Sequence, residues 1–157
     1  MAVDDNVVLE CIGGHNPAFQ FLDGHTQDGI VLLAGSTNPP FTGTHWRIHR
    51  NGDVWILECL GNVSGNRFLD GRTADNVVQL APNIHRPFTG TRWRATEQLD
   101  EQDNRVFALE CLGDQPGNRF LEGRNHDGTV ALAANSGPDF PGTLWRVGSA
   151  PVPIDNP

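Results

Sequence analysis

The stretch GNRFLDGRTADNVVQLAPNIHRPFTGTRWR, residues 65–94, decides the fold because the chain contains it three times. An earlier copy holds Phe21-Leu22-Asp23-Gly24 and closes with Thr42-Gly43-Thr44-His45-Trp46-Arg47. A later copy holds Phe120-Leu121-Glu122-Gly123 and closes with Pro141-Gly142-Thr143-Leu144-Trp145-Arg146. Each copy follows a Leu-Glu-Cys triplet, at Leu9-Glu10-Cys11, Leu57-Glu58-Cys59 and Leu109-Glu110-Cys111. Internal repetition at this period indicates units that cannot bury an apolar face alone and must pack on one another.

Within a copy, the residues alternate with period two, which is strand patterning. Val7, Leu9 and Cys11 form a core face, matched by Trp55, Leu57 and Cys59 and by Phe107, Leu109 and Cys111. Glu10, Glu58 and Glu110 lie on the opposite face. Next come the Phe-Leu-Asp/Glu strand, with Leu22, Leu69 and Leu121 inward and Asp23, Asp70 and Glu122 outward, and a hairpin turn built on Asp28-Gly29, Asp75-Asn76 or Asp127-Gly128. Both residue types of such a turn tolerate positive φ. A third strand carries Val31, Val78 or Val130, and a fourth runs from Thr44, Thr91 or Thr143 through the buried Trp. No helical pattern is present. The expectation is an all-β single domain over 1–157, with three four-strand repeats at about 6–50, 53–97 and 105–148 closing into a pseudo-threefold barrel. Residues 1–6 read as a polar lead-in, 97–104 as an acidic open loop, and 149–157 as a Pro-rich tail.

The formal net charge is −8, and all eleven basic residues are arginine. Acidity without a basic run disfavours nucleic acid and anionic membrane surfaces as partners. No apolar run approaches the ~20 residues of a membrane span. The amino-terminal residues lack the apolar core of a signal peptide. Three cysteines at one repeat position exclude an even disulfide framework, and free thiols suit a reducing compartment such as the cytoplasm. They read as small buried hydrophobes rather than as a three-cysteine metal site on the repeat axis. His45 and His49 are four apart on a strand, about 13 Å by strand rise, too far to share an ion. No metal or cofactor is expected.

These residues make the chain similar to the β-trefoil superfamily, most closely its lectin branch of ricin B-chain-like and actinohivin-like modules. The repeat count and length, the Leu-Asp motif, the closing tryptophans and the strand Val78-Gln79-Leu80 carry the resemblance from Val7 to Val147. It implies a six-stranded barrel, a triplet of hairpins and up to three equivalent ligand pockets. Carried over by position, the sugar-binding Asp of those lectins falls on Asp23, Asp70 and Glu122. Their Gln falls on Gln79, with Leu32 and Ala131 in the other copies. Their stacking aromatic falls on Ala34, Ala81 and Ala133, and the Asn before the closing Trp on Gly43, Gly90 and Gly142.

The candidate ligand-binding residues are Asp23, His25 and Asp28 in the first copy, Asp70, Arg72, Asp75 and Gln79 in the second, and Glu122, Arg124 and Asp127 in the third. Carboxylates accept charge-assisted hydrogen bonds from adjacent sugar hydroxyls. The local alternative pairs Asp23, Asp70 and Glu122 with His25, Arg72 and Arg124 two residues on, and assigns Asp28, Asp75 and Asp127 to their turns. Glu10, Glu58 and Glu110 read as scaffold across strands from Arg47, Arg94 and Arg146 rather than as catalysts. The expected function is a non-enzymatic carbohydrate-binding module for glycans. The alternative is a protein-binding β-trefoil such as a protease inhibitor, acting through the loops at 15–20, 85–87 and 97–104. The second copy has the fullest polar cluster.

Overall fold

A computed structural model describes residues 2–13, 16, 18–38, 41–100 and 103–149. Its twelve strands are β1 (Ala2–Cys11), β2 (Phe21–His25), β3 (Ile30–Ala34), β4 (Trp46–Asn51), β5 (Val54–Cys59), β6 (Phe68–Arg72), β7 (Val77–Ala81), β8 (Trp93–Leu99), β9 (Arg105–Cys111), β10 (Phe120–Arg124), β11 (Thr129–Ala133) and β12 (Leu144–Ser149). All pairings are antiparallel, so the protein is all-β. Six strands pair in a ring that closes on itself, in the order β1, β12, β9, β8, β5, β4 and back to β1. The other six form the hairpins β2–β3, β6–β7 and β10–β11. Single contacts of β3 with β7, β7 with β11 and β11 with β3 join these hairpins into a triangle.

The alternation in sequence becomes the core directly. Trp46, Trp93 and Trp145 are completely buried, as are Leu22, Leu69 and Leu121. Each indole N–H donates to the carbonyl of its copy's hairpin leucine: Trp46 to Leu22 at 2.9 Å, Trp93 to Leu69 at 3.1 Å and Trp145 to Leu121 at 3.0 Å. A buried indole N–H without such an acceptor loses its hydrogen bond to water and gains nothing in return. The glycine two residues after each leucine leaves room for the ring. A Cβ on Gly71 would lie 3.0 Å from Trp93 Cη2 and 2.9 Å from Cys111 Sγ. The Cys111 thiol donates to the carbonyls of Gly71 at 3.4 Å and Gly90 at 3.5 Å. Burial pushes the Cys11 and Cys59 thiols up to about 11, and Cys111 in the same direction. The cross-strand Glu–Arg pairs form in register, at 3.5 Å for Arg47–Glu58, 3.6 Å for Arg94–Glu110 and 3.3 Å for Arg146–Glu10.

Four expectations are corrected. The expected lead-in belongs to β1, where Ala2, Val3 and Asp4 pair with Arg50, His49 and Ile48 of β4. The predicted fourth strand starts later, because Thr42–Thr44, Thr89–Thr91 and Pro141–Thr143 form single 3-10 turns. The start of the expected open loop at 97–104 is strand: β8 runs to Leu99, and Glu97 holds Arg105 at 2.5 and 3.0 Å. Asp23 and Asp70 are buried rather than outward, at 7% and 4% exposure. The 3-10 turn that follows each of these two hairpins lies against its β2 or β6 carboxylate, so that a Cβ on Gly43 or Gly90 would fall 2.6 or 2.7 Å from Asp23 or Asp70 Oδ1. Of the expected tail, Ser149 ends β12 and 150–157 lie outside the described residues, as do 14, 15, 17, 101 and 102 of the loops.

Two outcomes follow from this packing. Gly90→Ala would place a Cβ inside the van der Waals surface of the Gly71 carbonyl and 2.7 Å from Asp70 Oδ1. Urea unfolding should show a loss of about 3 kcal/mol or more, whereas Gly148→Ala, whose Cβ meets only Val8 Cγ2 at 3.9 Å, should stay within about 1 kcal/mol. The three thiols should resist a thiol reagent at pH 8 in native protein and all react once denaturant is added. Rapid native modification would contradict their burial.

Candidate cleft at the second copy

A cleft of about 370 Å³ opens beside β6. Its walls come from three segments: Asp70, Arg72 and Thr73 at the end of β6, Arg86 and Thr89 before and in the 3-10 turn, and Asp114 and Gln115 after β9. Each wall is fixed by a hydrogen bond that the sequence encodes. Thr73 Oγ1 donates to the Gln115 carbonyl at 2.6 Å. Thr89 Oγ1 donates to Asp114 Oδ1 at 3.1 Å and accepts from the Asp114 amide at 3.2 Å. Arg119 donates to the carbonyls of Cys111 at 3.0 Å, Gly113 at 2.8 Å and Gln115 at 2.9 Å. The third copy's loop is therefore held as a wall of the second copy's cleft.

Asp70 is the buried charge of this cleft. Its Oδ2 accepts from Gln79 Nε2 at 3.2 Å, the two residues facing each other across β6 and β7. Burial raises its pKa above the usual carboxylate range, against the opposing pull of the Gln79 hydrogen bond and the Arg72 charge. Arg72 turns to Asp75 at 3.1 Å, with both side chains about half exposed, so the expected Asp70–Arg72 pair does not form. A buried carboxylate held by one neutral donor has acceptor capacity left over. A burial-shifted acid in a cleft is a candidate functional position.

The other candidates are less favourably placed. Asp23 is raised by burial and opposed by His25, whose Nε2 lies 3.1 Å from Asp23 Oδ2. Glu122 is half-buried and pairs with Arg124 at 3.4 Å. Asp28, Asp75 and Asp127 belong to their turns, accepting from the amides of Ile30 at 3.1 Å, Val77 at 3.3 Å and Thr129 at 3.1 Å. The Thr129 hydroxyl and amide lower the Asp127 pKa. Asp70 and Arg72 thus meet in one cleft, Gln79 supports Asp70 from behind, and Asp75 anchors Arg72. The first copy repeats the latch as Thr42 Oγ1 to Asn62 Oδ1 at 3.1 Å. The third has Pro141 in the threonine's place and no hydroxyl to form it. Reading the sequence did not assign Thr89, Asp114, Gln115 or Arg119 to a site, although Thr-Gly-Thr in copies one and two, Pro-Gly-Thr in the third, was the available signal.

Among the described residues, no group of three His, Cys, Asp or Glu is placed to hold a metal ion. No helix is long and apolar enough to cross a membrane. No family model matches the chain, and no curated protein matches it. Among solved structures it is similar to a salivary protein from Culex quiquefasciatus of the Cysteine and Tryptophan-Rich family, at 16% identity and a TM-score of 0.62, covering 95% of this chain and 96% of that one. It is also similar to a GlcNAcα1-4Gal-releasing endo-β-galactosidase from Clostridium perfringens, at 10% identity and a TM-score of 0.67, covering 94% of this chain. The chain spans 33% of that enzyme. At these identities the likeness is one of fold.

The raised Asp70 carboxyl predicts a pH signature. A group whose folded pKa is raised favours folding most when protonated in both states, and that advantage is lost as pH rises through the folded value. Asp70→Asn should therefore melt higher than wild type at pH 7, with the gap closing as pH falls toward about 3.5, where the unfolded carboxyl also protonates. A lower melting temperature at pH 7 would contradict it.

Proposed function

We propose that the protein is a non-enzymatic carbohydrate-binding module on a β-trefoil of three four-strand repeats, related to the ricin B-like lectins. The closed ring of six strands and the triangle of three hairpins support the trefoil reading. The observation that carries the function is the second-copy cleft. In one recess it sets the buried acceptor Asp70, the donor Arg72 and the side chains of Asp114 and Gln115. A carboxylate and a guanidinium side by side suit adjacent sugar hydroxyls, which both donate and accept. The neighbouring endo-β-galactosidase is named for a saccharide substrate, and a domain of this fold makes up a third of it.

Catalysis has less support. Glu10, Glu58 and Glu110 are paired in register with arginines on the barrel, outside the cleft. The alternative of a protein-binding trefoil such as a protease inhibitor depends on prominent loops, and the loop at 97–104 is shortened by β8, which runs to Leu99. Up to three sites were expected. The second copy is the one whose latch, carboxylate and arginines coincide, so binding there is strongest and the other copies contribute through avidity on arrayed glycans.

A glycan array followed by calorimetry tests this reading. Wild type should bind at least one oligosaccharide class, and Asp70→Asn should weaken it at least about tenfold, the loss of one charged hydrogen bond. Asp23→Asn and Glu122→Gln should change single-site affinity less than about twofold. No binding to any glycan at millimolar-sensitive concentrations would sink the proposal, as would equal effects of all three substitutions.

A further inference from the structure

The arginines of this chain are nearly all accounted for. Seven of the eleven have a carboxylate within ion-pair reach. Arg67 and Arg119 each donate to three backbone carbonyls. Two remain. Arg92 has only the Ile84 carbonyl, at 3.4 Å, and Arg86 has no partner among the described residues. Both are exposed. Nineteen acids face eleven arginines in this chain, so a shortage of carboxylates does not explain two unpaired guanidinium groups.

Their position gives a reason. A second cleft of about 370 Å³ lies next to the first and is lined by both arginines, His85 and Phe88. Arg86 and Thr89 line both clefts, so the two adjoin across these residues. The cations belong to this copy alone. The residue two before the loop phenylalanine is Arg86 here, and Pro39 or Pro138 in the other copies. Arg92 corresponds to His45 and Leu144, and the His45 ring is already bonded on both nitrogens, to Asn6 and Thr37, at 2.8 Å each. An overall charge of −8 repels an anionic ligand at long range. Screening over about 8 Å at physiological salt leaves the local guanidinium pair to decide.

We propose that the second copy selects an acidic oligosaccharide. Its ring hydroxyls lie in the Asp70 cleft, and its carboxylate or sulfate sits on Arg86 and Arg92 in the neighbouring one. Guanidinium groups match the planar or tetrahedral oxygens of either anion bidentately. This rests on the carbohydrate reading above and adds the class of ligand.

The test is an array carrying matched neutral, carboxylated and sulfated forms of the same oligosaccharides, probed with wild type, Arg86→Ala and Arg92→Ala. Both positions are exposed and without carboxylate partners, so melting temperatures should match wild type. Wild type should bind at least one acidic form tenfold or more above its neutral counterpart. Either substitution should remove most of that preference, Arg92→Ala, which lies outside the Asp70 cleft, should leave neutral binding unchanged, and added salt should weaken the acidic form selectively. The arm that responds distinguishes carboxylate from sulfate. Equal binding of neutral and acidic forms would overturn this inference and leave the carbohydrate reading standing, and a preference that survives in both variants would overturn the placement on these arginines. No binding by any form would overturn both readings.

Discussion

The structure depends on one contact made three times: a buried indole N–H donating to a leucine carbonyl, with a glycine beneath the ring. Trp93 comes from the barrel strand β8 and Leu69 from the hairpin strand β6. The bond therefore fastens a hairpin to the barrel and satisfies both polar groups away from water. Cys111 of the next copy fills the remaining space and donates to Gly71 and Gly90, which carries the packing from one copy into the next. A stretch of about thirty residues has no core without this closure.

The same packing accounts for the cleft. Gly90 lets its turn approach the β6 backbone so closely that Asp70 is covered, and a covered carboxylate is an unfavourable group to retain for stability alone. Repetition sets the frame equally in all three copies, and the loops break the symmetry. Thr89 and Asp114 latch the second copy, whereas Pro141 removes the hydroxyl from the third. Arg86 and Arg92 add charge to the second copy alone. Matching positions of the three copies thus differ in chemistry.

Most of the frame was legible in the residues. Period-two alternation identified the tryptophans and leucines as core, and the matched Leu-Glu-Cys and Trp-Arg strands anticipated the Glu–Arg register. The inversion of Asp23 and Asp70 was not legible, because alternation specifies a face and not what covers it. The covering turn is brought in by Gly43 and Gly90, whose close approach to the hairpin is a tertiary fact. The extension of β8 past Glu97 to Leu99 was hidden for a related reason, since Glu97 and Gln98 pair across to β9 instead of packing inward. Cleft walls built from two different copies are likewise invisible to a reading taken one copy at a time.

The central claim is that ligand binding belongs to the second copy's cleft. An amide-resolved NMR titration with an array-selected oligosaccharide tests it most directly. Shifts should concentrate at Thr73, Thr89, Asp114 and Gln115 and saturate together, with smaller changes at Thr26 and Thr42 of the first copy. Shifts centred on the third copy, or spread evenly over the barrel, would contradict the account.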